Sequence, residues 1–186
     1  SPNISSYRPG AGCEEIWLTQ ALRVEHALLF NEPVVGVSID FAKAFDRAPV
    51  HILLELASHL GVEPGIVRAL NGVYSQLVRR WKTGPFVGNP FTSSNGILQG
   101  CPLSVVLLNM LVHVWISAVE QKVPSASPSA YADDLGAVAS KPRDVRAVLR
   151  ITERFCELTG MLVNASKSAV WATSRRLRLQ MLNTCR

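Results

Sequence analysis

Three carboxylates in this sequence stand where a charge is costly to keep. Asp40 ends the β-branched run 34–39, and Asp133 and Asp134 follow Tyr131 between two strand-like stretches. A carboxylate beside a buried strand needs a cation or hydrogen-bond donors to offset its desolvation, and two adjacent carboxylates also repel each other. Divalent cations prefer oxygen ligands and answer both problems, so the three acids are candidates for a metal-supported site. Taken alone, an Asp-Asp pair is more often a solvated hairpin turn. Gln99 and Gly100 form a second candidate group, an amide beside a backbone that another molecule can approach closely. Taken singly, each has a plainer reading, as an exposed polar residue and a turn before a helix.

Such groups must be positioned by strands that end at the acids and helices that back them. Residues 14–29 carry apolar side chains at helical spacing, among them Ile16, Ala21, Leu22 and Leu28, and Asn31-Glu32-Pro33 stops the helix. The run 34–39 is too short for a helix and reads as a buried strand. Helices follow at 49–60, stopped by Gly61, and from Pro64 toward Tyr74. Turn residues Gly84, Pro85, Gly88, Asn89 and Pro90 bracket a β-ribbon with arms at 77–82 and 91–95, the first arm being equally readable as the tail of the preceding helix. Pro102 opens a long helix to about Lys122. There Ser104, Asn109, His113 and Ser117 recur near a helical period, a polar stripe on a buried helix rather than a membrane span. Strands at 129–132 and 135–139 flank the acid pair, a helix at 142–159 ends at Gly160, and 161–173 reads as a last hairpin around 164–167.

With 48% hydrophobic and 18% charged residues, the 186-residue chain has a globular composition that excludes disorder over most of its length. Its formal charge of +5 suits a polyanionic partner without requiring one. Arg79, Arg80 and Lys82, then Arg143, Arg146 and Arg150, then Arg175, Arg176 and Arg178 are clusters that either meet phosphates or form solvated faces. Trp81, amid the first cluster, either stacks on a base or packs inward. Cys13, Cys101, Cys156 and Cys185 lack the paired spacing of zinc or redox motifs and read as reduced thiols of an intracellular protein. Residues 1–12 do not read as a secretory signal, and without an initiator Met the chain is expected to be an excerpt.

The order of the motifs carries more than any one of them. Asp40-Phe41-Ala42-Lys43-Ala44-Phe45-Asp46-Arg47 with Pro49, then Gly96 to Ser104 with Gln99-Gly100-Cys101-Pro102-Leu103-Ser104, then Tyr131-Ala132-Asp133-Asp134, resemble motifs A, B and C of the reverse transcriptases (RNA-dependent DNA polymerases). The first has the form usual in non-LTR (LINE-like) retrotransposons. Tyr7-Arg8-Pro9-Gly10 resembles the Phe-Arg-Pro-Gly signature of those proteins, and residues 160–167 resemble their motif D. Agreement in order over most of residues 7–173 is specific where a single motif would be weak. Two positions depart from the pattern, Val105 after Ser104 where Pro is usual, and Leu98 before Gln99; neither removes a catalytic group.

The resemblance implies an α+β fold, a right-hand polymerase palm with partial fingers and an antiparallel sheet packed on helices. It implies one truncated domain over residues 1–186, with a palm core at about 34–173 and the thumb absent. Asp40, Asp133 and Asp134 would be the catalytic and metal-binding residues for two Mg²⁺ ions, Asp40 and Asp133 bridging them. Phe45 would be a steric gate beneath the sugar, where unaided reading prefers core packing. Gln99 and Gly100 would line the nucleotide pocket, and Lys167 would face the triphosphate, where unaided reading is content with a solvated lysine. Arg8 would be a template or structural contact, where unaided reading sees a surface arginine near a terminus. The implied partners are an RNA template, a DNA primer and dNTPs, with no membrane, and an intracellular site with access to the nucleus in a eukaryotic host. The competing reading is a catalytically inactive, truncated relic that only binds nucleic acid. Group II intron or retron enzymes fit the motif A segment less well, and Phe45 argues against an RNA-dependent RNA polymerase.

Overall fold

Helix α1 (Cys13–Leu29) opens with Glu14 and Glu15, whose charges complement the helix dipole. It closes where Asn31 turns left-handed at φ 53°. The structure, a computed structural model, describes residues 3–4 and 12–184. After Pro33 the chain enters β1 (Val35–Asp40), then α2 (Ala44–Arg47), α3 (Val50–His59) and α4 (Pro64–Ser75). The last has Pro64 in its first turn and Glu63 as its cap, the carboxylate accepting from Ile66 N–H at 3.1 Å. A ribbon, β2 (Arg79–Thr83) and β3 (Phe86–Phe91), precedes the long α5 (Pro102–Lys122). The chain ends with β4 (Ser127–Tyr131), β5 (Asp134–Ala139), α6 (Pro142–Thr159), β6 (Ala169–Ala172) and α7 (Arg175–Thr184).

Strands β4, β5, β1 and β6 form one antiparallel sheet in that order. Because side chains alternate along a strand, the register divides the sheet into two unlike faces. Val35, Val37, Ile39, Ala130, Leu135, Ala137 and Ala139 lie on one face and are all buried. They join the core with Leu107, Leu108, Leu111, Trp115 and Ile116 of α5 and with Val145 and Val148 of α6. Trp115 is fully buried, and its indole N–H donates to Thr152 Oγ1 at 3.0 Å, so the largest core side chain leaves no orphaned donor. The other face carries small or polar groups: Gly36 is buried, Asp40, Ser129, Tyr131 and Gly136 are partly covered, and Ser38 and Asp134 are exposed. Helix α1 crosses this face, held by Gln20 Nε2 donating to Ser129 Oγ at 2.7 Å and by Ala27 packing with Val34, Val138 and Trp171. Gly36 is required there, since a Cβ would lie 2.2 Å from the Trp171 ring.

The α+β architecture with an antiparallel sheet on helices agrees with the sequence reading, and several local expectations are corrected. The ribbon turns at Gly84-Pro85, so Gly88, Asn89 and Pro90 lie within β3, and a register shift between Arg80 and Lys82 absorbs the mismatch. The last hairpin does not form. Instead β6 pairs with β1, and residue 163 makes only an isolated bridge to Phe41. Strand β4 takes in Ser127 and Pro128, which read as loop. Helix α5 is long and apolar enough to cross a membrane, yet half of that stretch is buried inside the fold. Ser104 is buried beside Tyr74, with 3.3 Å between their oxygens, whereas Leu103, Val106 and Val114 are exposed. Helices α2 and α7 had not been anticipated, one being a single turn and the other reading as a charge cluster.

Candidate active site

The carboxylates meet at the open end of the polar sheet face. The β1–β5 register sets Asp40 directly opposite Asp134. Facing residues of an antiparallel pair project to the same side, with Cβ atoms about 4.5–5.5 Å apart. Asp133 sits in the two-residue turn between β4 and β5, preceded by Ala132 at φ 53°. A left-handed non-glycine residue costs on the order of 1 kcal/mol, strain that the flanking ladder holds in place at the acids.

Below Asp40 the chain is pinned by the segment after α6. Asp40 N–H donates to Ser168 Oγ at 3.1 Å, Asn164 N–H donates to Asp40 O at 2.7 Å, and Ser168 Oγ donates to Asn164 O at 2.9 Å. The 164–168 turn thereby brings Lys167 to the same place. Asp40, Asp134 and Lys167 line one groove of about 320 Å³, together with Ser38, Tyr131, Trp17 and Gln20. The Asp134 carboxyl is held above its ordinary value of 3.8, by partial burial first, then by the charges of Asp133 and Asp40, while Lys167 pulls it down. None of the three acids has an Arg, Lys or His ion-pair partner within salt-bridge distance among the described residues.

Phe45, Gln99 and Gly100 come together in a second cavity of about 240 Å³, with Cys101, Pro102 and Val105. Phe45 is half-buried against the core and also lines this cavity, so packing and pocket lining are one placement rather than rivals. Backbone bonds join the two motif segments: Gly96 N–H donates to Ala48 O and Ile97 N–H to Phe45 O, both at 2.8 Å. Gly96 is left-handed, and a Cβ there would lie 2.8 Å from the Asp46 carbonyl oxygen. Gln99 is exposed and donates to Asp46 Oδ1 at 3.2 Å. Gly100 is also left-handed and open.

Among the described residues, the sequence-predicted site residues lie in or beside one of two clefts, the acids with Lys167 and Phe45 with Gln99 and Gly100. Within the acid group, the sheet pairs Asp40 with Asp134, and Asp133 does not line the groove. Arg8 and the motif 7–10 lie outside the described residues. Arg79 is committed to the fold, donating to Asn95 O at 3.1 Å and Gly96 O at 2.6 Å. Trp17 and Gln20 were missed, since periodicity marks a helix but not the sheet face it crosses. Among the described residues no three His, Cys, Asp or Glu side chains form a closed metal cage. Mg²⁺ seldom needs one, because it keeps water and takes substrate phosphate oxygens beside one or two carboxylates. The all-oxygen, mutually repelling donor set of Asp40, Asp134 and Asp133 fits such an open site.

A polar shelf with paired acids at a strand end, backed by helices, is the design of a right-hand polymerase palm. Residues 1–179 match the reverse transcriptase (RNA-dependent DNA polymerase) family, and this chain belongs to it. A Retrovirus-related Pol polyprotein from the type-1 retrotransposable element R2 of Popillia japonica is 29% identical over 145 residues, 72% of this chain and 23% of that protein. The corresponding type-2 polyprotein, R2DM of Drosophila melanogaster, is 24% identical over 172 residues, 89% of this chain and 16% of that protein. Telomerase from Candida tropicalis, solved with a fragment of telomeric RNA, superposes with a TM-score of 0.68 at 12% identity over 94% of this chain and 31% of its own. That likeness shows the fold. The family works on nucleic-acid templates with divalent metal ions.

Proposed function

We propose that this chain is the palm of an RNA-directed DNA polymerase of a non-LTR retrotransposon, extending a DNA primer on an RNA template with dNTPs. The observation that carries this reading is the strand register that sets Asp40 against Asp134 on the open sheet face, with Lys167 in the same groove. Asp40 and Asp133 would hold the two ions between them, and Asp134, opposite Asp40 in the register, would complete the acidic site as a ligand or electrostatic support. Two Mg²⁺ ions, when bound, supply the positive charge that favours ionisation of the primer 3′-hydroxyl and departure of pyrophosphate. Lys167, in the acid groove, would offer its ammonium to a triphosphate oxygen or deliver a proton to the leaving group. Phe45 limits the space beneath the sugar and so disfavours a 2′-hydroxyl, while Gly100 lets the nucleotide approach the backbone and Gln99 presents its amide.

Primer extension on an RNA template tests this, with dNTPs against rNTPs, with and without Mg²⁺, using this chain and a longer form of the protein. Asp133→Ala is expected to lower the rate by about 10²–10³ or more, the usual cost of removing one electrostatic group from such a site. A folded longer form that binds primer-template and never extends it would establish the inactive nucleic-acid-binding reading instead.

A further inference from the structure

We propose that the β2–β3 ribbon is a binding surface for single-stranded nucleic acid beside the nucleotide cavity; the polymerase reading names that strand as the template. Among the described residues no helix or strand packs extensively along the ribbon, and every residue from Arg80 to Pro90 is exposed. Trp81 is 74% exposed and Phe86 77%, an unusual cost for a surface that covers nothing. The Trp81 ring already stacks on Phe91, centroids 5.6 Å apart and 19° from parallel, so one of its faces is fixed and the other is presented to solvent. Such a preset ring is a platform for a base, and base–aromatic stacking tolerates any sequence.

Charge selects the occupant. Between Glu63 and Glu120 the chain has no acidic residue, and on the ribbon Arg80 and Lys82 flank Trp81 with no salt-bridge partner among the described residues. Asp46, whose backbone carbonyl lies beside Gly96 together with the Arg79 guanidinium, is engaged by Gln99. Lys is depleted in protein–protein interface cores, whereas cations alternating with exposed aromatics suit phosphates alternating with bases. Arg79 ties the ribbon to the cavity: it grips Gly96 O at 2.6 Å, four residues before the Gly100 that lines the cavity. A strand lying on Trp81 is thereby led toward Phe45 and Gln99.

Fluorescence anisotropy of labelled short oligouridylate and oligothymidylate, titrated with the full chain at several salt concentrations, tests the proposal. Trp81→Ala is expected to raise Kd roughly five- to a hundred-fold, and Trp81→Phe to keep most of the affinity. Arg80→Ala with Lys82→Ala is expected to reduce the slope of log affinity against log salt by about 1.4. Unchanged Kd and slope in these variants, or no binding by the wild type, would overturn the proposal; unchanged values in a wild type that binds would leave the ribbon to a protein partner. Parallel curves for the two oligonucleotides would show a surface blind to the sugar, and tighter oligouridylate binding one that also reads it, both consistent with the strand-binding role. Primer extension by the longer form of the protein separates the two readings: extension absent there while Trp81→Ala still weakens binding defeats the polymerase assignment and keeps the ribbon.

Discussion

The molecule contains two antiparallel two-stranded units joined by short turns, and they are built on opposite principles. The β4–β5 unit has one face sealed against α5 and α6 and its acids at the turn; the β2–β3 unit has no sealed face and carries aromatic and basic side chains along its length. Register in the first is over-determined, because a one-residue slip would send Leu135, Ala137 and Ala139 to solvent. In the second, beyond the hold of Arg79 at its base, no buried face enforces it, and the shift at Trp81 is tolerated. Chemistry that depends on the separation of carboxylates belongs on the rigid unit. Contact with a flexible strand of any sequence can be left to the exposed one.

The contrast can be broken by deleting matched side chains. Leu135→Ala, directly beneath the acids, is expected to destabilise the fold by about 2–5 kcal/mol, read as a shift of the chemical-unfolding midpoint. Gly96→Ala, at the junction of the two regions, forces a Cβ against the Asp46 carbonyl in a left-handed conformation, and about 1–3 kcal/mol of destabilisation is expected by the same measurement. Trp81→Ala should cost under about 1 kcal/mol, its main contribution being one aromatic contact. Equal losses at Leu135 and Trp81 would show that the ribbon is a packed part of the body after all.

Charge gives the smallest and most diagnostic effect. Since the Asp134 carboxyl is raised in the folded state, the folded protein holds that proton more tightly than the unfolded chain does. Its contribution to stability is fully present below 3.8 and is lost as pH rises through the folded value. Asp134→Asn is therefore expected to raise the melting temperature slightly near neutral pH and to flatten this acid-side rise. Added Mg²⁺ should stabilise the wild type at neutral pH and the variant less. A variant melting at or below the wild type at neutral pH would show that the acids do not repel in the folded state.

Much of the fold was legible because it rests on local rules. Helices α1, α3, α4, α5 and α6 follow from apolar spacing punctuated by Pro and Gly, and β1, β4 and β5 from short runs bounded by turns. The elements misread are those whose state depends on distant partners. Strand β6 is a strand only because β1 offers it an open edge, so residues 161–173 alone favour a local hairpin that the sheet outcompetes. Pro90 in β3 is tolerated only because that strand is an edge.

The site divides along the same line. Residue types, their order and the match of several motifs come from the sequence, as does the choice of hard oxygen donors for a metal. Which acid faces which was decided by the antiparallel register of β1 with β5, a pairing between segments nearly a hundred residues apart that no local pattern encodes. The position of Lys167 was likewise settled by the bonds that tie Asn164 and Ser168 to the backbone of Asp40. Local periodicity tells each segment which face to bury, whereas the partner it buries that face against is chosen by the lowest free energy of the whole chain, and that choice placed the acids together.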